Sequence, residues 1–252
     1  MDHYDNTKAL LLSSSYNSGK GYLEHAREAI LQFLGEPKKG SYVLFVPYAR
    51  AESGWHDYEE SASTFFNEVG FQLRSVNTFD QSYDNMDRMF NGSDLAGVFV
   101  GGGNTFRLLD QLRQNDLWQH LENAIIDYGI KYIGASAGTV VACPSIKTTN
   151  DMPIVCPTTR AVDGFFSLDL IPWQINPHFV SGPLIPGHMG ETREQRIAEF
   201  HEENETPVIG LPEKSWLVVG DNKVTLQGGE DAVWFERDQD AVVWKVGESR
   251  KF

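Results

Sequence analysis

Residues 131–143 read Lys131-Tyr-Ile-Gly-Ala-Ser136-Ala-Gly-Thr-Val-Val-Ala-Cys143, which predicts an apolar strand, a tight turn and a helix start made of small residues. The five residues from Gly134 to Gly138 fit G-x-S-x-G, the pattern of a nucleophile elbow. A serine hydroxyl is a weak nucleophile, so it must be held forward on a sharp turn beside a base. The two glycines would let the strand and the helix pass close to that turn, where a Cβ would clash. The pattern therefore makes Ser136 a candidate nucleophile, and the alternative is an ordinary strand-to-helix turn that contains a serine.

Apolar strands alternate with helical segments before this turn. The alternation and the short loops predict an α/β fold with a doubly wound, mostly parallel sheet that is covered by helices on both faces. Ligands of such folds bind beyond the carboxyl ends of the strands, which is where Ser136 would lie. The predicted strands are 9–12, 41–46, 71–76, 95–100 and 131–135, and the predicted helices are 22–34, 57–69, 80–90, 106–114 and 117–128.

The second half of the chain has a different pattern. Residues 144–177 are rich in Pro, Thr, Asn and Asp and predict a long irregular segment. A helix is expected over 191–200, with Thr192 and Gln195 spaced as a capping box. Residues 208–211 predict a last core strand, and alternating residues over 215–250 predict an antiparallel β appendix. We expect residues 1–252 to form a single α/β domain with this appendix.

Composition excludes several classes of function. The formal net charge of −14 argues against a nucleic-acid partner, because phosphate binding needs a basic face. No apolar run approaches the roughly 18 residues of a membrane span, so no membrane association is expected. The polar N-terminus lacks an apolar signal core, which favours the cytoplasm. Cys143 and Cys156 make neither a disulfide framework nor a zinc site, and both are expected to be buried thiols. We expect no metal and no cofactor.

Three glycines follow the predicted strand 95–100, at Gly101, Gly102 and Gly103. Glycines between a strand and a helix allow backbone N–H groups to approach a ligand closely. The N–H of Gly102 or Gly103, together with that of Ala137 after the serine, would form an oxyanion hole. The alternative for this loop is a flexible turn. Asn104 or Thr105 is expected to cap the following helix. The Ser-rich loop 13–19 lacks the pattern of a phosphate-binding loop and favours a plain connection from strand to helix.

A serine nucleophile needs a general base, and His178 is the first candidate. It lies in Gln174-Ile-Asn-Pro-His178-Phe179, at the end of the irregular segment and directly after a rigid proline. His188 is the second candidate, and a solvated loop histidine is the alternative for both. Four other histidines fall in helical or helix-start segments and are expected at the surface. They are His25, His56, His120 and His201.

Two carboxylates are candidates for orienting the base. Asp151 lies in the irregular segment, in Thr149-Asn-Asp-Met-Pro153, and an Asx turn is its alternative. Glu213 follows the strand predicted over 208–211, and an exposed charge is its alternative. Sequence spacing does not choose between the two.

Several motifs along nearly the whole chain, in the same order, resemble the peptidase E family of α-aspartyl dipeptidases. They are Gly101-Gly-Gly-Asn-Thr105, Ala135-Ser-Ala-Gly138, Thr149-Asn-Asp-Met-Pro-Ile154, Gln174-Ile-Asn-Pro-His-Phe179, Gly190-Glu-Thr-Arg-Glu-Gln-Arg196 and Gly210-Leu-Pro-Glu213. The resemblance implies a fold like the class I glutamine amidotransferases, with a serine in place of their cysteine. It also implies hydrolysis of dipeptides that begin with aspartate.

The resemblance assigns roles to individual residues. Ser136 is implied as the nucleophile and His178 as the base. The family's third member falls at Asp151 or at Glu213, and we favour Glu213 because it is expected on a strand end beside the site. Arg193 is implied to bind the aspartyl side chain of the substrate, because a guanidinium can bind a carboxylate bidentately. Asn104 is a further candidate for substrate binding.

Other functions stay open at this point. A cyanophycinase-like peptidase would use the same nucleophile, and an α/β-hydrolase esterase would share the elbow. A binding protein that keeps the fold without catalysis is a third alternative. A small peptide is the expected partner, and the chain is expected to be a monomer or a homodimer.

Overall fold

The computed structural model describes residues 4–79, 83–115, 117–152, 155, 164–183, 187 and 189–251. The strands are β1 (Ala9–Leu12), β2 (Tyr42–Val46), β3 (Gln72–Ser75), β4 (Leu95–Val100), β5 (Tyr132–Ala135), β6 (Gln174–Pro177), β7 (Val208–Leu211), β8 (Ser215–Gly220), β9 (Lys223–Gly228), β10 (Ala232–Phe235), β11 (Val242–Trp244) and β12 (Ser249–Lys251). The helices are α1 (Arg27–Leu34), α2 (Trp55–Glu68), α3 (Tyr83–Phe90), α4 (Thr105–Gln114), α5 (Leu117–Glu122), α6 (Ala137–Val140) and α7 (Arg193–Glu203).

The larger sheet has the strand order β12-β9-β8-β1-β5-β4-β2-β3. The five strands from β1 to β3 in this order are parallel, whereas β8, β9 and β12 extend the sheet in antiparallel pairs. The predicted α/β fold with a mostly parallel central sheet is confirmed. The five predicted parallel strands lie where the sequence placed them, to within about one residue at each end.

Both faces of β1, β2, β4 and β5 are buried, which explains why these four strands are apolar. The edge strand β3 is partly exposed and carries Gln72 and Arg74. In β1, Leu10 and Leu12 pack into one hydrophobic cluster, and Ala9 and Leu11 pack into a second cluster on the opposite face. The first cluster includes residues of α1 and α2, and the second includes residues of α3, α4 and α5. The sheet is therefore covered on both faces, as the alternation of elements predicts.

A second sheet has the strand order β11-β10-β7-β6, in which β6 and β7 are parallel and the other pairs are antiparallel. The strand predicted over 208–211 is β7, and it is fully buried in this second sheet. β6 lies in the segment predicted to be irregular. The sequence does not predict this strand, because Gln-Ile-Asn-Pro lacks an apolar strand pattern. The C-terminal strands are antiparallel as predicted, and they are shared between the two sheets.

The structure corrects the placement of two histidines, which were predicted at the surface. His120 is buried and stacks on Phe90 with 5.8 Å between ring centroids. His201 is buried as well, and its Nε2 lies 3.2 Å from the carbonyl oxygen of Thr206. Each imidazole faces the inner side of its helix, so a polar residue type was a poor guide to exposure here.

Two predicted helices are also less regular than expected. The helix predicted over 22–34 begins as a 3-10 turn at Glu24–Ala26 and becomes α-helical only in α1. The helix predicted over 117–128 ends early, and a π-helical turn at Asn123–Asp127 follows α5. Of the helices in the described ranges, none combines the length and the apolar character that crossing a bilayer requires.

Candidate active site

Ser136 lies at the carboxyl end of β5, at the point where the chain turns into α6. Its backbone has φ 52° and ψ −107°, a conformation that residues with a Cβ rarely adopt. The N–H of Ser136 donates a hydrogen bond to the carbonyl oxygen of Leu12, the last residue of β1, at 3.0 Å. The hydroxyl of Thr139 donates to the same oxygen at 2.7 Å. One carbonyl oxygen at the end of β1 thus holds the strained turn through two hydrogen bonds.

The two glycines of the elbow allow a close approach of backbone segments. A Cβ at Gly134 would lie 2.6 Å from the carbonyl oxygen of Gly138. A Cβ at Gly138 would collide with the carbonyl oxygen of Val100, at the end of β4. The steric reason for this spacing, which the sequence predicted, is confirmed by the structure.

Ser136, His178 and Glu213 form a continuous array of hydrogen-bonding groups. The distance from Ser136 Oγ to His178 Nε2 is 2.9 Å, and the distance from His178 Nδ1 to Glu213 Oε1 is 3.0 Å. The side chains of His178 and Glu213 are 36% and 55% exposed, so the array is open to solvent. In this arrangement a histidine can accept the serine proton while the carboxylate holds the ring in the required orientation.

The second sheet brings the histidine and the glutamate together. His178 directly follows β6, and Glu213 follows β7, its parallel neighbour, after Pro212. The N–H of Phe179 donates to the carbonyl oxygen of Leu211 at 3.1 Å, which extends the pairing beyond the strand ends. Because parallel strands end at the same edge of a sheet, both side chains reach the elbow from one side.

Asp151, the other candidate carboxylate, lies elsewhere. Its Oδ2 accepts a hydrogen bond from the N–H of Thr105 at 2.6 Å and another from the hydroxyl of Thr105. The N–H of Asp151 donates to the hydroxyl of Thr149 at 3.2 Å. Asp151 therefore binds the first residue of α4, directly after the glycine loop, whereas Glu213 binds the histidine.

The glycine loop packs against the elbow. A Cβ at Gly102 would lie 3.1 Å from Ser136 Cβ, and Gly103, at φ 148°, approaches the backbone of Ala49. Asn104 caps α4 as predicted, since its side chain accepts a hydrogen bond from the Arg107 N–H at 3.0 Å. On the other side of the serine, Ala137 is the first residue of α6, so its N–H has no partner within the helix. Of the predicted oxyanion-hole residues, Gly102 and Ala137 are thus adjacent to Ser136, whereas Gly103 packs against Ala49.

Arg193 is the first residue of α7, and the predicted capping box is present between Thr192 and Gln195. Burial lowers the pKa of the Arg193 guanidinium, and the nearby Arg196 lowers it further. Its Nε is buried and has no hydrogen-bond partner among the residues that the structure describes. Among the described residues, no hydrogen bond or ion pair joins Arg193 to Ser136, His178 or Glu213.

The residue next to Arg193 connects α7 with the loop that follows the histidine. Glu194 Oε1 accepts hydrogen bonds from the hydroxyl of Ser181 at 2.7 Å and from the N–H of Gly182 at 2.9 Å. These acceptor contacts outweigh the effect of burial and lower the pKa of the Glu194 carboxyl. Arg193 therefore directly precedes a residue that is hydrogen-bonded to the loop after His178.

Cys143 is buried, as predicted, and its thiol contacts the carbonyl oxygen of Thr139 at 3.6 Å. Burial raises the pKa of the thiol well above its usual range, which makes it a poor nucleophile. Cys156 and His188, the other predicted buried thiol and the second candidate base, lie outside the described residues. Within the described part of the chain, no group of three or more His, Cys, Asp or Glu side chains is arranged to hold a metal ion.

Ser13 is a contact residue that the sequence did not indicate as part of the site. It lies directly after β1 and is fully buried, and its Oγ accepts a hydrogen bond from the N–H of His178 at 2.8 Å. The available signal was its position at the carboxyl end of a predicted parallel strand, the edge at which ligands of this fold class bind.

Solved structures share the fold. A crystal structure of a peptidase from an acI-B1 Actinobacterium superposes with a TM-score of 0.72 and 16% sequence identity, covering 99% of this chain and 98% of that chain. A Listeria monocytogenes EGD-e protein superposes with a TM-score of 0.64 and 19% identity, covering 89% of this chain and 99% of that chain. At these identities the likeness concerns the fold alone.

The family of the chain is shown by its sequence relatives. Peptidase E of Streptomyces coelicolor is 43% identical over 229 residues, which are 90% of this chain and 87% of that protein. Peptidase E of Nostoc sp. is 38% identical over 91% of this chain and 89% of that protein, and peptidase E of Shigella flexneri serotype 5b is 39% identical over 94% and 97%. Residues 9–227 match the sequence model of Peptidase family S51. With the fold and these relatives in agreement, the chain belongs to peptidase family S51 and is a peptidase.

Proposed function

We propose that this peptidase is a serine dipeptidase that hydrolyses Asp-X dipeptides through an acyl-enzyme. The observation that carries the proposal is the continuous array from Ser136 Oγ through the His178 ring to Glu213 Oε1, with distances of 2.9 Å and 3.0 Å. The array stands on an elbow whose backbone conformation is strained and held by β1. The relatives named peptidase E support peptide hydrolysis, and the preference for N-terminal aspartate rests on the resemblance to the α-aspartyl dipeptidases.

In the proposed first step, Ser136 Oγ attacks the carbonyl carbon of the Asp-X bond while His178 Nε2 takes the hydroxyl proton. The carbonyl oxygen becomes an oxyanion, which the N–H groups of Ala137 and of Gly102 or Gly103 stabilise. Collapse of the tetrahedral intermediate breaks the C–N bond. The proton on His178 then passes to the departing amine of residue X, which leaves an aspartyl ester on Ser136.

In the second step, water attacks the ester carbonyl. His178 Nε2 takes a proton from this water and returns it to Ser136 Oγ as the ester bond breaks. The products are free aspartate and amino acid X, and the enzyme is regenerated. Glu213 keeps His178 Nδ1 as the donor and stabilises the imidazolium that forms in each step. Asp151 fixes the start of α4 behind the glycine loop, so we assign the third position to Glu213.

Arg193 is the proposed specificity residue. An Asp-X substrate carries its negative side chain toward a protein with a formal net charge of −14, so a local cation has to recognise it. The guanidinium is partly buried, and its Nε lacks a partner among the described residues. A bidentate contact with the aspartyl carboxylate would supply that partner. Asn104 stays a candidate for substrate binding beside its role as the cap of α4.

The experiment is steady-state hydrolysis of Asp-Leu, Asn-Leu and Glu-Leu by the wild type and by Arg193→Ala. The proposal expects cleavage of Asp-Leu alone and loss of this preference in the variant. Cleavage of Asp/Arg polymers in place of Asp-Leu would move the assignment to a cyanophycinase-like peptidase, and turnover of simple esters alone would favour an esterase.

A single domain, a cytoplasmic location and a monomeric or dimeric state stay predictions from the sequence.

A further inference from the structure

The hydroxyl of Ser13 connects the two segments that carry the histidine and the glutamate. Its Oγ accepts a hydrogen bond from the N–H of His178 at 2.8 Å. The same hydroxyl donates to the carbonyl oxygen of Leu211, two residues before Glu213, at 2.8 Å. Ser13 is 0% exposed, so water does not compete for these contacts. One side chain thus contacts both strand ends of the second sheet, at the site edge.

The end of β1 also holds the nucleophile. The carbonyl oxygen of Leu12, the residue before Ser13, accepts the N–H of Ser136 at 3.0 Å. The N–H of Ser13 itself donates to the carbonyl oxygen of Ser215 at 3.2 Å, which anchors it to the larger sheet. Two adjacent residues of one strand end therefore set the backbone of the serine and the backbone of the histidine relative to each other.

The backbone of His178 needs such support. Its φ of 55° lies in the left-handed region, which costs free energy for a residue with a Cβ. The preceding residue is Pro177, which has no N–H to hold the chain. The hydrogen bond to Ser13 satisfies the N–H of His178. Without this hydrogen bond, the N–H would be an unpaired donor inside the protein.

We propose that Ser13 is a positioning residue for the hydrolysis: its hydroxyl sets the separation of Ser136 Oγ and His178 Nε2 by bridging the main chains of His178 and Leu211. This inference rests on the proposed function, because Ser13 acts through His178 and Glu213 and touches neither substrate nor the reacting atoms. A displacement of a reacting group by about 1 Å can cost on the order of 100-fold in rate. The expected consequence is a loss in kcat with little change in KM.

The experiment compares wild type, Ser13→Ala and the control Ser75→Ala in the full chain. Ser75 is also a buried serine at the carboxyl end of a strand, but it lies on the edge strand β3 and bonds locally to Asn77. With Asp-Leu as substrate, Ser13→Ala should lower kcat by about 10-fold or more and leave KM within about two-fold. Ser75→Ala should keep both constants. Circular dichroism at the assay temperature establishes that each variant is folded.

A double-mutant cycle with Glu213→Gln separates positioning from general destabilisation. If Ser13 acts through the histidine and glutamate, Ser13→Ala should lower kcat much less when Glu213 is already replaced. A wild-type kcat in folded Ser13→Ala, or an equal loss in both backgrounds, would overturn the inference.

A second measurement does not depend on the substrate. The rate at which a fluorophosphonate labels Ser136 reports the pairing of serine and histidine directly, and Ser13→Ala should slow it by a similar factor. If wild type fails to cleave Asp-Leu, the dipeptidase proposal fails while this labelling rate still decides the role of Ser13. Unchanged labelling of Ser136 in folded Ser13→Ala would contradict that role.

Discussion

Glu213 Oε1 lies 3.0 Å from Nδ1 of His178, while the carboxylate of Asp151 is bonded to Thr105. The two acidic residues therefore have different positions although both flank the site. A carboxylate at Nδ1 fixes the tautomer in which Nε2 can accept the serine proton. This contact is the reason that we propose Glu213 as the third member of the array.

Replacing the two carboxylates separately should give different kinetic results. Glu213→Gln should lower kcat for Asp-Leu by about 100-fold or more, because the amide can no longer stabilise the imidazolium. Asp151→Asn should act more weakly on kcat, since its carboxylate holds Thr105 at the start of α4. Steady-state kinetics of both variants decide the matter, and a larger loss of kcat in Asp151→Asn than in Glu213→Gln would reverse the assignment.

Arg193→Ala should reduce kcat/KM for Asp-Leu by about 100-fold, which corresponds to about 3 kcal/mol for a lost charge-assisted contact. Any residual hydrolysis of Asn-Leu should change little, because this substrate has no side-chain carboxylate for Arg193 to bind. Arg196→Ala is the matched control, since Arg196 lies one turn further along α7, is more exposed and pairs with Glu191 at 3.5 Å. Equal losses for Asp-Leu in the two variants would remove the specific role of Arg193.

The elbow glycine Gly138 should not tolerate a methyl group. Gly138→Ala places a Cβ against the carbonyl oxygen of Val100, a backbone atom that cannot move aside cheaply. We expect the free energy of unfolding to fall by about 1 to 3 kcal/mol and activity to fall with it. Gly54→Ala is the control, because nothing lies within 4 Å of a Cβ there. Urea denaturation of both variants measures the difference, and equal stability would contradict the packing described for the elbow.

Cys143 should resist alkylation in the folded protein, because its thiol is buried and burial raises its pKa. Iodoacetamide treatment followed by peptide mass spectrometry should find Cys143 unmodified in the native protein and modified after denaturation. Cys143→Ser should retain Asp-Leu hydrolysis if it folds. Rapid native labelling of Cys143 with parallel loss of activity would indicate a catalytic thiol instead.

Most of the parallel half of the larger sheet could be predicted because β1, β2, β4 and β5 are buried on both faces and read as apolar runs. The elbow could be predicted as well, since the G-x-S-x-G spacing reflects a local steric need. These features depend on residues that are close in sequence. Pattern and packing therefore agree for the five parallel strands and for the elbow.

The second sheet could not be predicted in the same way. β6 carries Gln174 and Asn176, whose side chains are buried and bonded to residues 145 and 148, so its sequence lacks an apolar pattern. The sequence favoured Glu213 only from its place at a strand end, and the contact with His178 depends on the pairing of β6 with β7. The bridge from Ser13 to both strands joins residues more than 160 positions apart, which no local pattern reveals.

The most direct test of the account is a search for the aspartyl ester on Ser136. Wild-type enzyme is mixed with aspartyl p-nitroanilide, quenched with acid within the first turnovers and digested for peptide mass spectrometry. The account predicts a mass increase of one aspartyl residue on the peptide that contains Ser136, and neither adduct nor turnover in Ser136→Ala. An adduct on another residue, or continued turnover by Ser136→Ala, would contradict the serine mechanism.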